Sequence, residues 1–159
     1  MKIYTLKRRQ HLPHPLDQVF PFFQKPENLS RLTPDHLHFQ ILTPSPVSMH
    51  TGSVIDYVIT LFGMEMHWTT MISEYKPPYR FVDVQLRGPY AFWYHTHLFE
   101  EADDGGVWMT DEVHYALPFD WIGELVHFLW VKKELEHIFN FRAHIVKGFL
   151  GDKKDIVEG

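Results

Sequence analysis

The stretch that decides the fold is residues 120–151, which read DWIGELVHFLWVKKELEHIFNFRAHIVKGFLG without a proline. Asp120 is a good N-cap and Gly151 a suitable C-terminal stop. Between them, apolar residues recur at intervals of three and four, the spacing of one helix face. The members of this stripe are Ile122, Leu125, Val126, Leu129, Leu135, Ile138, Phe139, Ile145, Val146 and Phe149, with Arg142 among them. The pattern predicts one helix of about 30 residues, or about 45 Å, which is long enough to cross a whole domain.

The residues before this helix alternate with period two from about Leu37 to Pro118, and turn signals interrupt them at regular intervals. This pattern predicts an antiparallel meander. Its concave face is expected to carry the more apolar of the alternating sets, which are Ile55, Tyr57, Ile59 and Leu61, then Met66, Trp68, Thr70 and Ile72. Gly63 lies between the two sets and permits a tight turn or a bulge.

A strand and two short helices are predicted upstream of the meander. Residues 2–12 form the strand, and Pro15 is suited to the first turn of a helix. Leu16, Val19, Phe20 and Phe23 follow at helical spacing. Pro21 limits the length of that helix, so the second helix, through residues 27–32, is separate.

Composition restricts the function classes. The chain has 159 residues, a net charge of -5, no cysteine and an aromatic fraction of 16%. Thiol catalysis and thiolate metal sites are excluded, nucleic-acid binding has little electrostatic support, and no apolar run is long enough for stable membrane insertion. We predict one ligand-binding domain, residues 1–151, a charged flexible tail, residues 152–159, and a cytoplasmic location because no signal-peptide pattern is present.

The order of these elements resembles the helix-grip superfamily of START proteins, polyketide cyclases and pollen allergens (SRPBCC), in its bacterial cyclase/dehydrase-like, ligand-binding branch. Local support comes from residues 23–34, 52–57, 81–90, 93–99 and 109–118. The resemblance implies an α+β fold in which a curved antiparallel sheet wraps a long C-terminal helix, with two short helices after the first strand. It implies a pocket rather than one particular reaction.

Two histidines, His95 and His97, form the sharpest local motif. Residues i and i+2 of a strand share a face, so both rings can meet one metal, one ligand or one hydrogen-bonding neighbour. Asp111, Glu112 or His114 on the next strand could complete the set, but one residue of register slip reverses the face. The third member therefore stays undetermined, and a satisfied hydrogen-bonded pair, a metal site and a ligand-orienting pair all remain open.

Aromatic residues are numerous enough to line a cavity as well as to fill a core. The set is Tyr57, Phe62, Trp68, Phe81, Phe92, Trp93, Phe99, Trp108, Tyr115, Phe128 and Trp130. Among the acids, Asp83 lies between Val82 and Val84 and is expected to face outward or to close a local hydrogen bond. Arg142 is expected to form a rim salt bridge or to reach an acid or a ligand carboxylate.

We therefore predict a protein that binds a small hydrophobic molecule, such as a lipid, a quinone or a polyketide-like aromatic, without a cofactor, a bound metal or an identified partner protein. The predicted ligand-binding residues are Tyr57, Trp68, Trp93, His95, His97, Tyr115, Phe128 and Arg142. One alternative is a cyclase, dehydratase or hydrolase-like enzyme in which His95 or His97 moves a proton and Asp111 orients it. A further alternative is a metal-binding protein, including an all-β barrel, although the unbroken helical pattern of residues 121–150 argues against the barrel.

Overall fold

The structure is a computed structural model that describes residues 1–61 and 63–151. Within these ranges, it describes only the backbone of residues 120, 121, 123 and 149–151. The strands are β1 (Tyr4–Leu12), β2 (Gln40–Ile41), β3 (Val54–Leu61), β4 (Met64–Lys76), β5 (Arg80–Arg87), β6 (Phe92–Glu101) and β7 (Val107–Ala116). The α-helices are α1 (Leu16–Phe23), α2 (Leu29–Leu32), α3 (Asp120–Val126) and α4 (Lys132–Gly151). Phe62, the tail 152–159 and the Asp120 capping side chain lie outside the described residues.

The strands form a seven-stranded antiparallel sheet in the order β1-β7-β6-β5-β4-β3-β2. Strand β4 shifts register against β5 twice, between Thr69 and Thr70 and between Ile72 and Glu74. Such bulges bend a strand and increase its twist, so the sheet curves around the helix. Gly63 adopts a φ of 75° between β3 and β4, which is the tight turn expected there. The predicted α+β helix-grip architecture is confirmed.

The two short helices after β1 are also confirmed. Helix α1 buries Leu16, Val19, Phe20 and Phe23, as its spacing predicted. A 3₁₀ turn, Pro26–Asn28, leads directly into α2. Helix α1 packs against β6 and α2 packs against α4, so this segment covers one end of the sheet. No helix among the described residues has the length and hydropathy needed to cross a membrane.

The long C-terminal helix differs from the prediction in its first third. A π-helical turn, His127–Val131, joins α3 to α4, and the Lys132 amide donates to the carbonyl of His127. Because a π turn holds one residue more than an α turn, it rotates the buried face of the helix. His127 and Val131 are buried, whereas the predicted core residues Ile122, Leu125 and Leu129 are exposed. The predicted apolar stripe is wrong for those three positions.

Two apolar clusters form the core. One joins α1 to β5, β6 and β7 and includes Phe20, Phe81 and Phe99. The other joins the sheet to the long helix and includes Trp93, Val113 and Leu135. Buried polar and charged side chains of β6, β7 and α4 accompany these clusters.

Candidate functional site

A cavity of about 120 Å³ lies between the sheet, the α1–α2 segment and α4. Its wall is mostly apolar, and exposed Lys25 marks where it meets the surface. An acid, two imidazoles and a guanidinium, all buried or mostly buried, also line it: Asp83, His95, His97 and Arg142. The remaining lining residues are Phe22, Phe23, Pro26, Asn28, Leu29, Leu32, Met49, Ile55, Tyr57, Thr70, Ile72, Phe81 and Trp93.

The two histidines lie on one face of β6, as the i, i+2 spacing predicted. Their ring centroids are 3.8 Å apart, and the residues are only 5% and 4% exposed. Phe81 stacks on the His97 ring at 4.0 Å, and Phe139 of α4 packs edge-on to the His95 ring at 5.6 Å. Aromatic neighbours on both sides therefore fix the imidazoles in the apolar interior.

Asp111 is the partner that the neighbouring strand supplies. The register pairs Asp111 with His97, and its carboxylate also reaches diagonally to His95. The Nε2–H of His95 donates to Asp111 Oδ1 at 2.9 Å, while His97 Nδ1 lies 3.3 Å from the same oxygen. Glu112 and His114, the other candidates on this strand, pair with each other at 3.0 Å and are partly exposed.

The sequence predicted that Asp83 faces outward or closes a local hydrogen bond, and the outward orientation is wrong. Asp83 Oδ2 accepts a hydrogen bond from His97 Nε2 at 2.7 Å and lies 3.4 Å from His95 Nδ1, so the carboxylate faces inward. The flanking valines were uninformative because β5 is covered on both faces: Phe81 is 5% exposed and Val82 is fully buried. The alternation of side chains along a strand could have indicated the inward orientation, because Asp83 lies two residues after the core residue Phe81 and therefore shares its face.

Arg142 reaches the same cluster from α4. It is 8% exposed, and its Nη2 lies 3.3 Å from Asp111 Oδ1 and 3.4 Å from His97 Nδ1. Its guanidinium also lies 5.6 Å from the Phe23 ring centroid. Arg142 therefore reaches an acid inside the fold, Asp111, which was one of the two expectations. The other expectation, a salt bridge at the rim, is wrong. Its buried Nε has no hydrogen-bond partner within the described part of the chain.

The electrostatics of the cluster keep both carboxylates ionised. Burial is the largest single influence on the pKa of Asp111 and raises it, but Arg142 and the neighbouring imidazoles of His95 and His97 together hold that pKa well below its ordinary value. The pKa of Asp83 is also lowered: burial raises it, but the imidazoles of His95 and His97, with the hydrogen bond from His97, and the Arg142 guanidinium together outweigh burial. Burial, followed by the neighbouring His97, lowers the pKa of His95. Two negative carboxylates and one positive guanidinium thus surround a neutral His95.

The hydrogen-bond network assigns the tautomers. His97 donates from Nε2 to Asp83 and accepts at Nδ1 from Arg142, whereas His95 donates from Nε2 to Asp111. The Nδ1 of His95 is therefore a lone pair, and Asp83 Oδ2, its carboxylate neighbour at 3.4 Å, brings no proton to it. Because His95 lines the cavity, this nitrogen is the natural acceptor for a proton of a bound molecule.

The other predicted ligand-binding residues divide into three groups. Tyr57 and Trp93 line the cavity. Trp68 packs behind them, with its ring centroid 5.7 Å from that of Tyr57 and 5.2 Å from that of Trp93. Tyr115 is also buried, and its hydroxyl contacts His127 Nε2 at 2.7 Å. Neither Trp68 nor Tyr115 lines this cavity.

Phe128 is the clearest error among the predicted ligand-binding residues. It is 77% exposed, because the π turn directs it away from the sheet, so the expectation that it faces the cavity is wrong. Trp130, of the wider aromatic set, is 55% exposed on the same turn. Thr70 and Ile55 are lining residues that the ligand-binding prediction missed, although both belonged to the predicted concave face.

A second cavity of about 190 Å³ lies where α3 begins, beside the β3–β4 turn. Its lining is Leu61, Met66, Pro89, Tyr90, Leu117, Pro118, Phe119, Ile122, Val126 and Val131. Tyr90 is the one titratable side chain in that lining, and burial raises its pKa so that it stays a neutral phenol. The first cavity, where acids, imidazoles and a guanidinium meet, is therefore the candidate site.

No known family profile and no curated protein matches this chain. Solved structures do match over nearly its whole length. The Zhui aromatase/cyclase from Streptomyces sp. R1128 superposes with a TM-score of 0.76 at 12% identity, covering 99% of both chains. A protein from Thermus thermophilus gives 0.69 at 15% identity, covering 91% of this chain and 98% of that one. Major latex-like protein 151 from Panax ginseng gives 0.67 at 10% identity, covering 93% and 97%. The helix-grip fold expected from the sequence is thereby confirmed.

Proposed function

We propose that this protein binds a small hydrophobic molecule in the 120 Å³ cavity and holds one polar group of that molecule against the cluster of Asp83, His95, His97 and Arg142. The observation that carries this proposal is the cavity itself, because it joins an apolar wall to a buried charged end. Binding pockets commonly combine a mostly apolar lining with a few convergent polar groups that orient the ligand.

The cavity volume restricts the ligand. An apolar cavity of about 150 Å³ holds benzene, and pockets for drug-sized molecules measure about 300–1,000 Å³. A cavity of about 120 Å³ therefore suits one aromatic ring or a short acyl end better than a whole lipid. A longer molecule would extend past Lys25, where the cavity meets the surface.

The polar group is expected to be a hydrogen-bond donor. His95 Nδ1 carries a lone pair, and the adjacent Asp83 carboxylate is also an acceptor. A hydroxyl or a phenol satisfies this end of the cavity, whereas a methyl group in the same place leaves buried acceptors unpaired. Such a mismatch costs about 1–3 kcal/mol.

Phenol and toluene test the proposal because they have nearly the same size and differ in that one group. Isothermal titration calorimetry should show phenol binding at least about tenfold more tightly than toluene, as one well-made hydrogen bond predicts. Equal affinities for phenol and toluene would contradict the part of the proposal in which the cluster holds a polar group of the ligand. Failure of both compounds to bind would remove the proposal as a whole.

A cavity-filling variant provides the structural control. Ile55 lines the cavity and Ile59 lies on the same face of the same strand without lining it, and both are buried. Ile55→Phe should abolish phenol binding. Ile59→Phe introduces the same ring with a similar overpacking cost, of about 1–3 kcal/mol, and should leave phenol binding intact.

One observation favours catalysis as a second candidate function: His95 lines the cavity, and its Nε2–H is held by Asp111 at 2.9 Å, which leaves Nδ1 as the acceptor. This is the arrangement of a general base. We propose proton abstraction next to a carbonyl as the reaction class. Deuterium exchange at the α-carbon of 1-indanone, followed by NMR, should be faster than in buffer and should revert to the buffer rate in His95→Gln, with retained binding of toluene, which does not use the His95 acceptor. An exchange rate no faster than buffer in the wild-type protein would contradict this candidate.

A further inference from the structure

Three metal-ligating atoms converge at the charged end of the cavity. Asp83 Oδ2 is 2.7 Å from His97 Nε2 and 3.4 Å from His95 Nδ1. One ligand atom from each of Asp83, His95 and His97 lies within 4.8 Å of the other two. Ligands that bind a metal ion at about 2.0–2.1 Å lie about 3.3 Å apart in a tetrahedral site and about 2.9 Å apart in an octahedral one. The Asp83–His95 separation already fits, and the Asp83–His97 separation needs to open by only a few tenths of an ångström.

A second carboxylate holds the opposite nitrogens of the two rings. Asp111 Oδ1 lies 2.9 Å from His95 Nε2 and 3.3 Å from His97 Nδ1. Histidine ligands usually donate their other N–H to a carboxylate or a carbonyl, which orients the ring and increases its basicity. One buried carboxylate performs this task for both rings, and Arg142 Nη2 holds that carboxylate from α4 at 3.3 Å.

The protons of the cluster are compatible with a cation at this point. Without one, His97 Nε2–H donates to Asp83. A bound cation takes the place of that hydrogen, and His97 then presents its N–H at Nδ1, toward Asp111 Oδ1, in place of accepting from Arg142. His95 needs no change, because its Nε2–H already faces Asp111 and its Nδ1 is already a lone pair.

We propose that Asp83, His95 and His97 bind one divalent first-row transition-metal ion at the base of the cavity. Imidazole and carboxylate together suit zinc, iron, cobalt or nickel, and three protein ligands leave at least one coordination position open. All three residues line the cavity, so the open position faces whatever occupies it. This inference goes beyond the proposed function and contradicts the sequence-based expectation of no metal.

The charge of the cluster also narrows the class of ligand. Leaving the imidazoles aside, two carboxylates and one guanidinium carry a formal charge of about -1, and a divalent ion, whose imidazole ligands are neutral, changes this to about +1. An anionic oxygen at the open position would neutralise the site. The proposal therefore predicts that a phenolate, an enolate or a carboxylate binds the metal-loaded protein more tightly than it binds the metal-free protein.

Cobalt(II) titration of the purified full-length chain, after chelator treatment and without any organic ligand, tests the metal site. The visible absorption of Co²⁺ should saturate at one ion per chain, and Zn²⁺ should displace it. Asp111→Asn should weaken binding by about 10–100-fold, the usual effect of removing a partner of a histidine ligand, and His97→Gln should abolish stoichiometric binding. His114→Gln is the matched control, since His114 pairs with Glu112 in a partly exposed position and should have no effect.

A measurement on the wild-type protein keeps the test valid if a variant does not fold. In a histidine-selective NMR spectrum, Zn²⁺ should shift the ring signals of His95 and His97 first among the twelve histidines. The metal site would be overturned if the ring signals of other histidines shifted before those of His95 and His97. It would also be overturned if His97→Gln left Co²⁺ binding unchanged. Because no organic ligand is present, these outcomes are independent of whether phenol binds.

Discussion

At the scale of single residues, the main feature is a buried group of charges that compensate one another. Asp111 contacts His95, His97 and Arg142 within 3.3 Å, and each of these four residues is less than a tenth exposed. Removing one partner of a buried ion pair leaves an unpaired charge in an apolar environment, which is far more damaging than removing the whole pair. Arg142 is therefore expected to be a structural requirement as well as a cavity residue.

Arg142→Met should lower the free energy of unfolding by about 3–5 kcal/mol, because Asp111 loses its one cationic neighbour that is charged at every working pH. Urea denaturation measures this change. The matched control is Arg80→Met, since Arg80 pairs with Glu74 at 2.7 Å but is 38% exposed in its side chain. Exposed pairs contribute only about 0–1 kcal/mol. Equal losses in the two variants would contradict the buried role of Arg142.

A second residue-scale prediction concerns pH. His127 is buried, stacks on Tyr4 and contacts the Tyr115 hydroxyl at 2.7 Å. Burial raises the pKa of Tyr115 to about 12, so this hydroxyl stays protonated and donates to a neutral His127. Burial, followed by Lys132 and Lys2, lowers the pKa of His127 from its ordinary value of 6.5. Its contribution to stability is therefore complete above pH 6.5 and is lost as the pH falls through the folded-state pKa.

Urea denaturation at pH 7.5 and at pH 5.5 should show a fall in the free energy of unfolding of the wild-type protein. His127→Gln should reduce that fall, because glutamine still accepts from Tyr115 but does not titrate. An identical pH dependence in wild type and His127→Gln would show that His127 is not held neutral.

At the scale of elements, the π turn separates two parts of the long helix that bury different faces. In α4 the apolar stripe predicts the core correctly, since Leu135, Phe139 and Val146 are each at most 5% exposed. Across the π turn the buried positions are His127 and Val131, and Phe128 faces solvent. The apolar residues between 122 and 130 therefore form a largely exposed surface beside the second cavity.

Two alanine substitutions on this helix test that arrangement. Leu135→Ala should destabilise the protein by about 2–5 kcal/mol, because it leaves a void in the core between helix and sheet. Phe128→Ala removes a larger side chain but should change the free energy of unfolding by no more than about 0.5 kcal/mol. Thermal or urea denaturation distinguishes the two. A large loss in Phe128→Ala would show that the helix presents the face first predicted from the sequence.

At the scale of the whole molecule, Glu27 connects the two segments that border the cavity entrance. It lies between the lining residues Pro26 and Asn28, and its carboxylate accepts from the Val47 amide at 2.8 Å and from the Ser45 hydroxyl at 2.9 Å. The Val47 hydrogen bond is the main cause of a lowered pKa for Glu27. This contact is fully formed above the ordinary pKa of 4.5 and is lost as the pH falls through the folded-state pKa.

Glu27→Ala should increase hydrogen exchange at the Val47 amide by about tenfold or more at neutral pH, because that amide loses its acceptor. The Phe99 amide, which donates to the Tyr79 carbonyl at 2.8 Å, should be unaffected and serves as the internal reference. Wild-type protein studied below the folded-state pKa of Glu27 should begin to resemble the variant at Val47. Unchanged exchange at Val47 in Glu27→Ala would show that the loop is held by other contacts.

Local sequence patterns determined the elements of this protein and much of its architecture. The period of two along residues 53–72 placed Ile55, Trp68 and Thr70 on the inner face. The same period along β6 placed His95 and His97 side by side. These predictions succeeded because the backbone geometry of a strand or a helix fixes which neighbouring side chains share a face. That relation needs no information from the rest of the chain.

Only the tertiary structure decided how the candidate site is completed. Asp83 meets His97 because β5 pairs with β6 in one register, which depends on the loop between these strands, and Arg142 arrives from a helix 45 residues beyond His97. The π turn that directs Phe128 outward likewise accompanies a contact between His127 and Tyr115 of β7. Register, helix rotation and the meeting of buried charges depend on packing between distant segments, whereas sequence periodicity reports only the face of a single element.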